Sequence, residues 1–123
     1  MSSILIIEDD TTLREMYAAK FTHEQFTVNT ALDGREGIDK LRSLKPDIAL
    51  LDLFMAKVSG FDVLKLVKND PELNTIPILV LTNISVDVED LLKNWGAKDF
   101  LLKANATPGD VVNKVNQLLK PAS

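Results

Sequence analysis

The sequence has no cysteine and only one histidine, one tryptophan and one tyrosine in 123 residues. Without cysteine there are no disulfides, no thiolate metal site and no thiol nucleophile. A single histidine excludes a poly-His zinc cage and any two-His catalytic arrangement. Basic residues are in deficit, 14 Lys and Arg against 18 Asp and Glu for a net charge of −4. That balance argues against direct nucleic-acid binding, which rests on Lys and Arg displacing phosphate counterions. No apolar run approaches the roughly 20 residues of a spanning helix. Met1-Ser2-Ser3 leads straight into an apolar segment without a basic region or cleavage site. The expectation is a cytoplasmic protein without membrane contact, whose chemistry belongs to carboxylates and hydroxyls.

What is present is a regular alternation. Apolar runs at Ile4 to Ile7, Phe26 to Thr30, Ile48 to Leu51, Ile76 to Leu81 and Phe100 to Leu102 are strand-length and mostly β-branched or bulky. The second alternates apolar with polar, as an edge strand does; the others are continuous, as strands covered on both faces are. Helical periods lie between them. The first carries Leu13, Met16, Tyr17 and Phe21 behind a Thr12/Glu15 capping box. The second opens at Asp33 and carries Ile38 and Leu41. The third opens at Ser59, carries Val63, Leu64 and Val67, and stops at Asp70-Pro71. The fourth carries Val88, Leu91, Leu92 and Trp95 as an apolar stripe and ends at Gly96. The fifth opens at Thr107-Pro108 and carries Val111, Val112, Val115, Leu118 and Leu119. Five βα units in a row predict a doubly wound α/β fold with a five-stranded parallel sheet. The length predicts one domain over residues 1–123, with 120–123 as a frayed tail or the stub of a longer chain.

The polar residues sit at the ends of these runs. Glu8 and Asp9 follow the first, Asp52 closes the third, Thr82 closes the fourth and Lys103 follows the fifth. Ligands of open doubly wound sheets bind beyond the carboxyl ends of the strands, where strand order reverses. With order 2-1-3-4-5, Glu8, Asp9 and Asp52 converge in one crevice flanked by Thr82 and Lys103. Like charges at such spacing repel by roughly 4 kcal/mol per pair at an effective dielectric of about 20. Either one acid is protonated or a cation is shared, and Mg2+ fits best, because it takes oxygen ligands and keeps several waters. Asp52 is the natural nucleophile for a phosphoryl group. Lys103 and the Thr82 hydroxyl suit its oxygens.

The stretches Ile4-Leu-Ile-Ile-Glu-Asp-Asp10, Pro46-Asp-Ile-Ala-Leu-Leu-Asp-Leu53, Ser59-Gly-Phe-Asp-Val-Leu64, Ile76-Pro-Ile-Leu-Val-Leu-Thr82 and Gly96-Ala-Lys-Asp-Phe-Leu-Leu-Lys103 resemble, in that order, the CheY-like receiver domain of two-component response regulators. The resemblance runs from Ile4 to about Leu119 and implies the flavodoxin-like (βα)5 fold. It implies Asp52 as phosphoacceptor, Asp9 and Asp52 as side-chain ligands of Mg2+, the Phe54 carbonyl as a third ligand, and Glu8 contributing through water. Thr82 and Lys103 become the switch hydroxyl and phosphoryl-binding lysine, and Phe100 the switch aromatic. The implied partners are a sensor histidine kinase or phosphotransfer protein upstream. Downstream, an effector reads the surface of helix four, strand five and helix five. The implied assembly is a monomer or transient dimer.

Several positions depart from that pattern. Ala56 replaces a common proline, Asn83 a small residue after the threonine, and Ala104 the proline that usually follows the lysine through a cis bond. A cis bond before a non-proline residue costs about 2.5–4 kcal/mol, so Lys103-Ala104 is either strained or trans with a rearranged loop. By the resemblance, Phe54 and Ile84 would flank the hydrolytic water, and neither has a side-chain hydrogen bond to offer it, which predicts slow autodephosphorylation. Asp10 reads as a helix-capping or loop residue and Trp95 as core packing.

Three other functions compete. A haloacid-dehalogenase-like phosphohydrolase needs a second acid where Phe54 stands. A flavodoxin-like cofactor binder needs glycine and hydroxyls where Glu8-Asp9-Asp10 stands. A receiver-shaped interaction module that is never phosphorylated is compatible with Ala56, Asn83 and Ala104.

Overall fold

The computed structural model describes residues 2–55, 57–83 and 86–120, so Ala56, Ile84 and the tail after Lys120 lie outside the described residues. Five strands, β1 (Ser3–Ile7), β2 (Thr27–Ala31), β3 (Ile48–Asp52), β4 (Ile78–Thr82) and β5 (Asp99–Leu102), alternate with five helices, α1 (Thr11–His23), α2 (Gly34–Leu44), α3 (Gly60–Asn69), α4 (Val88–Lys93) and α5 (Pro108–Leu119). The strands form one parallel sheet in the order β2-β1-β3-β4-β5. This is the predicted doubly wound architecture.

The strand side chains alternate between two cores. Leu5, Ile7, Ala49, Leu51, Ile78 and Val80 pack with residues of α2, α3 and α4. Ile4, Ile6, Ile48, Leu50, Leu79 and Leu81 pack with Tyr17 and Phe21 of α1 and with Val111, Val112 and Val115 of α5. Burial on both faces explains why β1, β3 and β4 read as unbroken apolar runs. β2 is the expected edge strand, with Thr27 exposed and Ala31 buried.

The helix starts follow local chemistry. Ser59 and Asp62 close a reciprocal capping box at α3, and Thr107 and Asp110 do the same at α5. Asp33 caps α2 by accepting from the Glu36 amide. Asp10 takes the capping role read for it from sequence, accepting from the Leu13 amide at 3.0 Å, and the Thr12/Glu15 box does not form the cap of α1. A carboxylate cap also favours the positive end of the helix dipole. Met16 is exposed rather than core, because the buried stripe of α1 runs through Tyr17 and Phe21. β4 begins at Ile78, two residues later than the apolar run. Pro77 has no amide to donate, and its carbonyl receives the Ala49 N–H at 3.0 Å. α4 is shorter than its periodicity, ending at Lys93, and the chain turns out through Gly96 at φ 81°, where glycine is favoured.

Candidate functional site

The carboxyl ends of β1, β3, β4 and β5 open on the same side of the sheet. Asp52 is the last residue of β3, opposite Leu81 of β4, and Thr82 is the last residue of β4, opposite Leu102 of β5. Glu8 continues the β1 ladder by one bond, its amide donating to the Ala31 carbonyl at 3.1 Å. Carboxylate oxygens of Glu8, Asp9 and Asp52 all lie within 4.8 Å of one another. Glu8 and Asp52 are buried and Asp9 is exposed.

Lys103 reaches into this cluster from beyond β5. Its Nζ donates to Glu8 Oε1 at 2.6 Å and stands 3.6 Å from Asp52 Oδ2. No peptide bond among the described residues is cis, so Lys103-Ala104 is trans, and Lys103–Asn105 form a single 3-10 turn in place of a proline-fixed loop. Backbone donors complete the shell: the Asp10 amide points at Glu8 Oε2 at 3.4 Å and the Phe54 amide at Asp52 Oδ1 at 3.3 Å.

Burial pushes the Glu8 carboxyl up from 4.5 to about 7; the Lys103 hydrogen bond opposes this, and the hydrogen bond and charge of Asp52 reinforce it. For Lys103, burial works against the charge. The Glu8 hydrogen bond and the fields of Asp52, Glu8 and Tyr17 outweigh it, holding the ammonium above its ordinary value. The Tyr17 phenol, buried on α1, is likewise pushed up by burial.

The donor set suits a small hard dication. Two ligands on one Mg2+ stand about 3–4 Å apart given metal–oxygen distances near 2.1 Å, and carboxylates with intervening water are its usual partners. An oxygen-only cluster spread over 4.8 Å, with one exposed member, fits that description.

A family model described as the response regulator receiver domain matches residues 4–116. The chain belongs to this family. Response regulator ArlR of Staphylococcus aureus is 31% identical over 105 residues, which are 84% of this chain and 46% of ArlR. Its Staphylococcus epidermidis counterpart matches at 31% over 104 residues. The chain thus spans about half the length of the curated relatives it matches. Among solved structures, the Vibrio cholerae chemotaxis protein CheY4 superposes with a TM-score of 0.86 at 26% identity, covering 95% of this chain and 98% of CheY4. A response regulator from Chloroflexus aurantiacus gives 0.85 at 28%, covering 96% and 97%. The receiver is thus a signalling domain of two-component systems. Among the described residues, no helix is long and apolar enough to cross a membrane.

The structure brings together Glu8, Asp9, Asp52 and Lys103 and sets Thr82 at the adjoining strand end. Thr82 is wholly buried and the following Asn83 is exposed. Phe100 lies opposite Val80, half-buried, and packs on the α2–α4 side. Phe54 exposes its ring. Trp95 is half-buried, meets Phe61 edge-on and donates its indole N–H to Asp90 at 3.1 Å. Sequence reasoning missed Arg14, whose guanidinium binds the backbone of the acidic turn, and the placement of Tyr17 in the field of Lys103.

Proposed function

We propose that this chain is one receiver unit that takes a phosphoryl group from the phosphohistidine of a sensor kinase or phosphotransfer protein onto Asp52, with Mg2+ as cofactor. The observation that carries the reading is a buried acceptor carboxylate inside a three-acid cluster bridged by one lysine ammonium. An Asp52 carboxylate oxygen attacks phosphorus and forms the P–O bond. The P–N bond to the donor imidazole breaks, and the ring nitrogen keeps the electron pair. No deprotonation of the nucleophile is needed. Asp9 and Asp52, with the Phe54 carbonyl, would hold the ion and Glu8 would support it through water; the chemistry it would supply is neutralisation of charge on the transferring group.

The acyl phosphate adds roughly −1.5 to −2 charges and three acceptor oxygens. Lys103 transfers its bond from Glu8 to a phosphoryl oxygen, and the Thr82 hydroxyl donates to another. The inward shift of Thr82 makes room for the ring of Phe100, repacking the surface of α4, β5 and α5 that a partner protein reads. This is a two-state equilibrium biased by a local charge event. The receiver works in the cytoplasm as a monomer or transient dimer, and its partners are proteins.

Intact-mass measurement after incubation with acetyl phosphate and Mg2+ tests the reading. The expected result is a gain of one phosphoryl group that disappears in Asp52→Asn. Absence of the gain in a protein that still binds Mg2+ would favour an interaction module that is never phosphorylated.

A further inference from the structure

We infer that Arg14 is a positioning residue: it fixes the backbone of the Glu8-Asp9 turn so that both carboxylates meet Asp52 around a divalent cation. The inference rests on reading Glu8, Asp9 and Asp52 as a cation site.

The turn between β1 and α1 holds three acids in a row, each used differently. Asp10 spends its side chain on capping α1. Glu8 is tied to Lys103 by its carboxylate and to β2 by its amide. Asp9 is exposed, and among the described residues its carboxylate accepts no hydrogen bond, so only its backbone is fixed by neighbours. That backbone is held by Arg14. One guanidinium nitrogen, Nη1, donates to the Glu8 carbonyl at 2.9 Å and the Asp9 carbonyl at 3.5 Å; the other, Nη2, reaches Thr11 Oγ1 at 3.4 Å. The Arg14 amide closes the first turn of α1 on the Asp10 carbonyl at 2.8 Å. One side chain therefore joins the end of β1, the acidic turn and the start of α1.

Two features separate this from an ordinary surface contact. A cation in the first helical turn faces the unfavourable end of the helix dipole, so dipole complementarity does not explain an arginine here. Second, among the described residues Arg14 makes no ion pair within 4.0 Å, despite three neighbouring acids. Its fork is used on carbonyls and so draws neither the Glu8 nor the Asp9 carboxylate away from Asp52. A planar fork serves two carbonyls and a hydroxyl at once, which the compact ammonium of lysine does less well.

The test turns on a sign. A guanidinium beside a dication site repels the dication, so on charge alone its removal tightens Mg2+ binding. Positioning demands the opposite. Titrating Mg2+ by calorimetry into the parent, Arg14→Gln and Arg14→Lys, with unfolding midpoints taken in chelator, is expected to show roughly tenfold weaker binding in Arg14→Gln, the scale on which outer-shell partners of metal ligands act. Arg14→Lys, which keeps the charge and loses the fork, is expected to be weakened nearly as much. Unchanged or tighter binding in both folded variants overturns the inference while leaving the cation site standing. No binding by the parent overturns the cation site and the inference with it.

Discussion

The Lys103 ammonium lies 2.6 Å from the Glu8 carboxylate although 95 positions separate the two residues, and it stands a further ångström from Asp52, at 3.6 Å. Both side chains are nearly buried, at 10% and 4% exposure. A buried pair of this kind is poor evidence of net stability, because removing two charges from water costs about as much as their attraction returns. Its meaning is positional: the ammonium sits beside Asp52, held by Glu8, and on the proposed function an incoming phosphoryl group would draw it away.

That pair has a pH signature. Glu8 titrates near 7 in the fold against 4.5 when unfolded. The folded protein therefore holds a proton that the unfolded chain has lost between those values. Stability from this source is complete below about 4.5 and falls as pH rises through 7. Glu8→Gln, neutral throughout, escapes the loss. Its stability relative to the parent, from urea unfolding in chelator, should rise by about 2–3 kcal/mol between pH 5 and pH 8. A difference that stays flat over that range would refute the assignment.

Asp9 adds like charge to the cluster while exposed and, among the described residues, in no ion pair with Lys or Arg. Asp9→Asn should stabilise the metal-free protein by about 1 kcal/mol, the scale of one close repulsion near solvent. The same change should abolish stabilisation by Mg2+, which in the parent reaches about 2.7 kcal/mol at a hundredfold excess over Kd. Thermal unfolding with Mg2+ and with chelator separates the two effects, and a lower metal-free midpoint in Asp9→Asn contradicts the first.

The fold was legible because its signals are local and repeated: apolar runs of strand length, caps at Asp33, Ser59 and Thr107, and a glycine exit at Gly96. The convergence of Glu8, Asp52, Thr82 and Lys103 followed from placing polar residues at strand ends in a sheet of known order. What sequence did not disclose is where long side chains go. Arg14 could have bonded Asp10 or solvent, and its choice of the Glu8 and Asp9 carbonyls depends on the angle at which α1 leaves β1. Lys103 follows β5, which two strands separate from β1, so its pairing with Glu8 depends on side-chain reach rather than on register. The trans Lys103-Ala104 bond was one of two open alternatives, settled by a 3-10 turn that sequence periodicity does not mark.

Gly60 begins α3 against the end of β3, its amide donating to the Leu53 carbonyl at 2.8 Å. A Cβ at this position would lie 2.5 Å from the Asp52 carbonyl oxygen and 2.6 Å from Leu53 Cα. Both are backbone atoms with nowhere to yield. Gly60→Ala should therefore destabilise the protein by about 2–3 kcal/mol, the usual scale of overpacking. It should also slow labelling of Asp52, since relief of the clash moves the acceptor strand. A variant with parental stability and labelling rate would mean that α3 can shift without disturbing the site.

A row of rings leads away from the acceptor. The Phe54 and Phe61 centroids are 6.1 Å apart and those of Phe61 and Trp95 4.9 Å apart, both edge-on. Such pairs contribute about 0.5–1.5 kcal/mol beyond their burial. Phe54 is two residues from Asp52 and its amide bonds the Asp52 carboxylate, so a group loaded on Asp52 should disturb the first ring of the row. The last ring belongs to the sole tryptophan of the sequence, which makes its emission an uncluttered reporter. Addition of beryllofluoride and Mg2+ should shift Trp95 emission in the parent. Phe61→Leu should suppress most of that shift while leaving phosphoryl uptake by Asp52 unchanged. Equal responses from the parent and Phe61→Leu would show that Trp95 senses the site by another route.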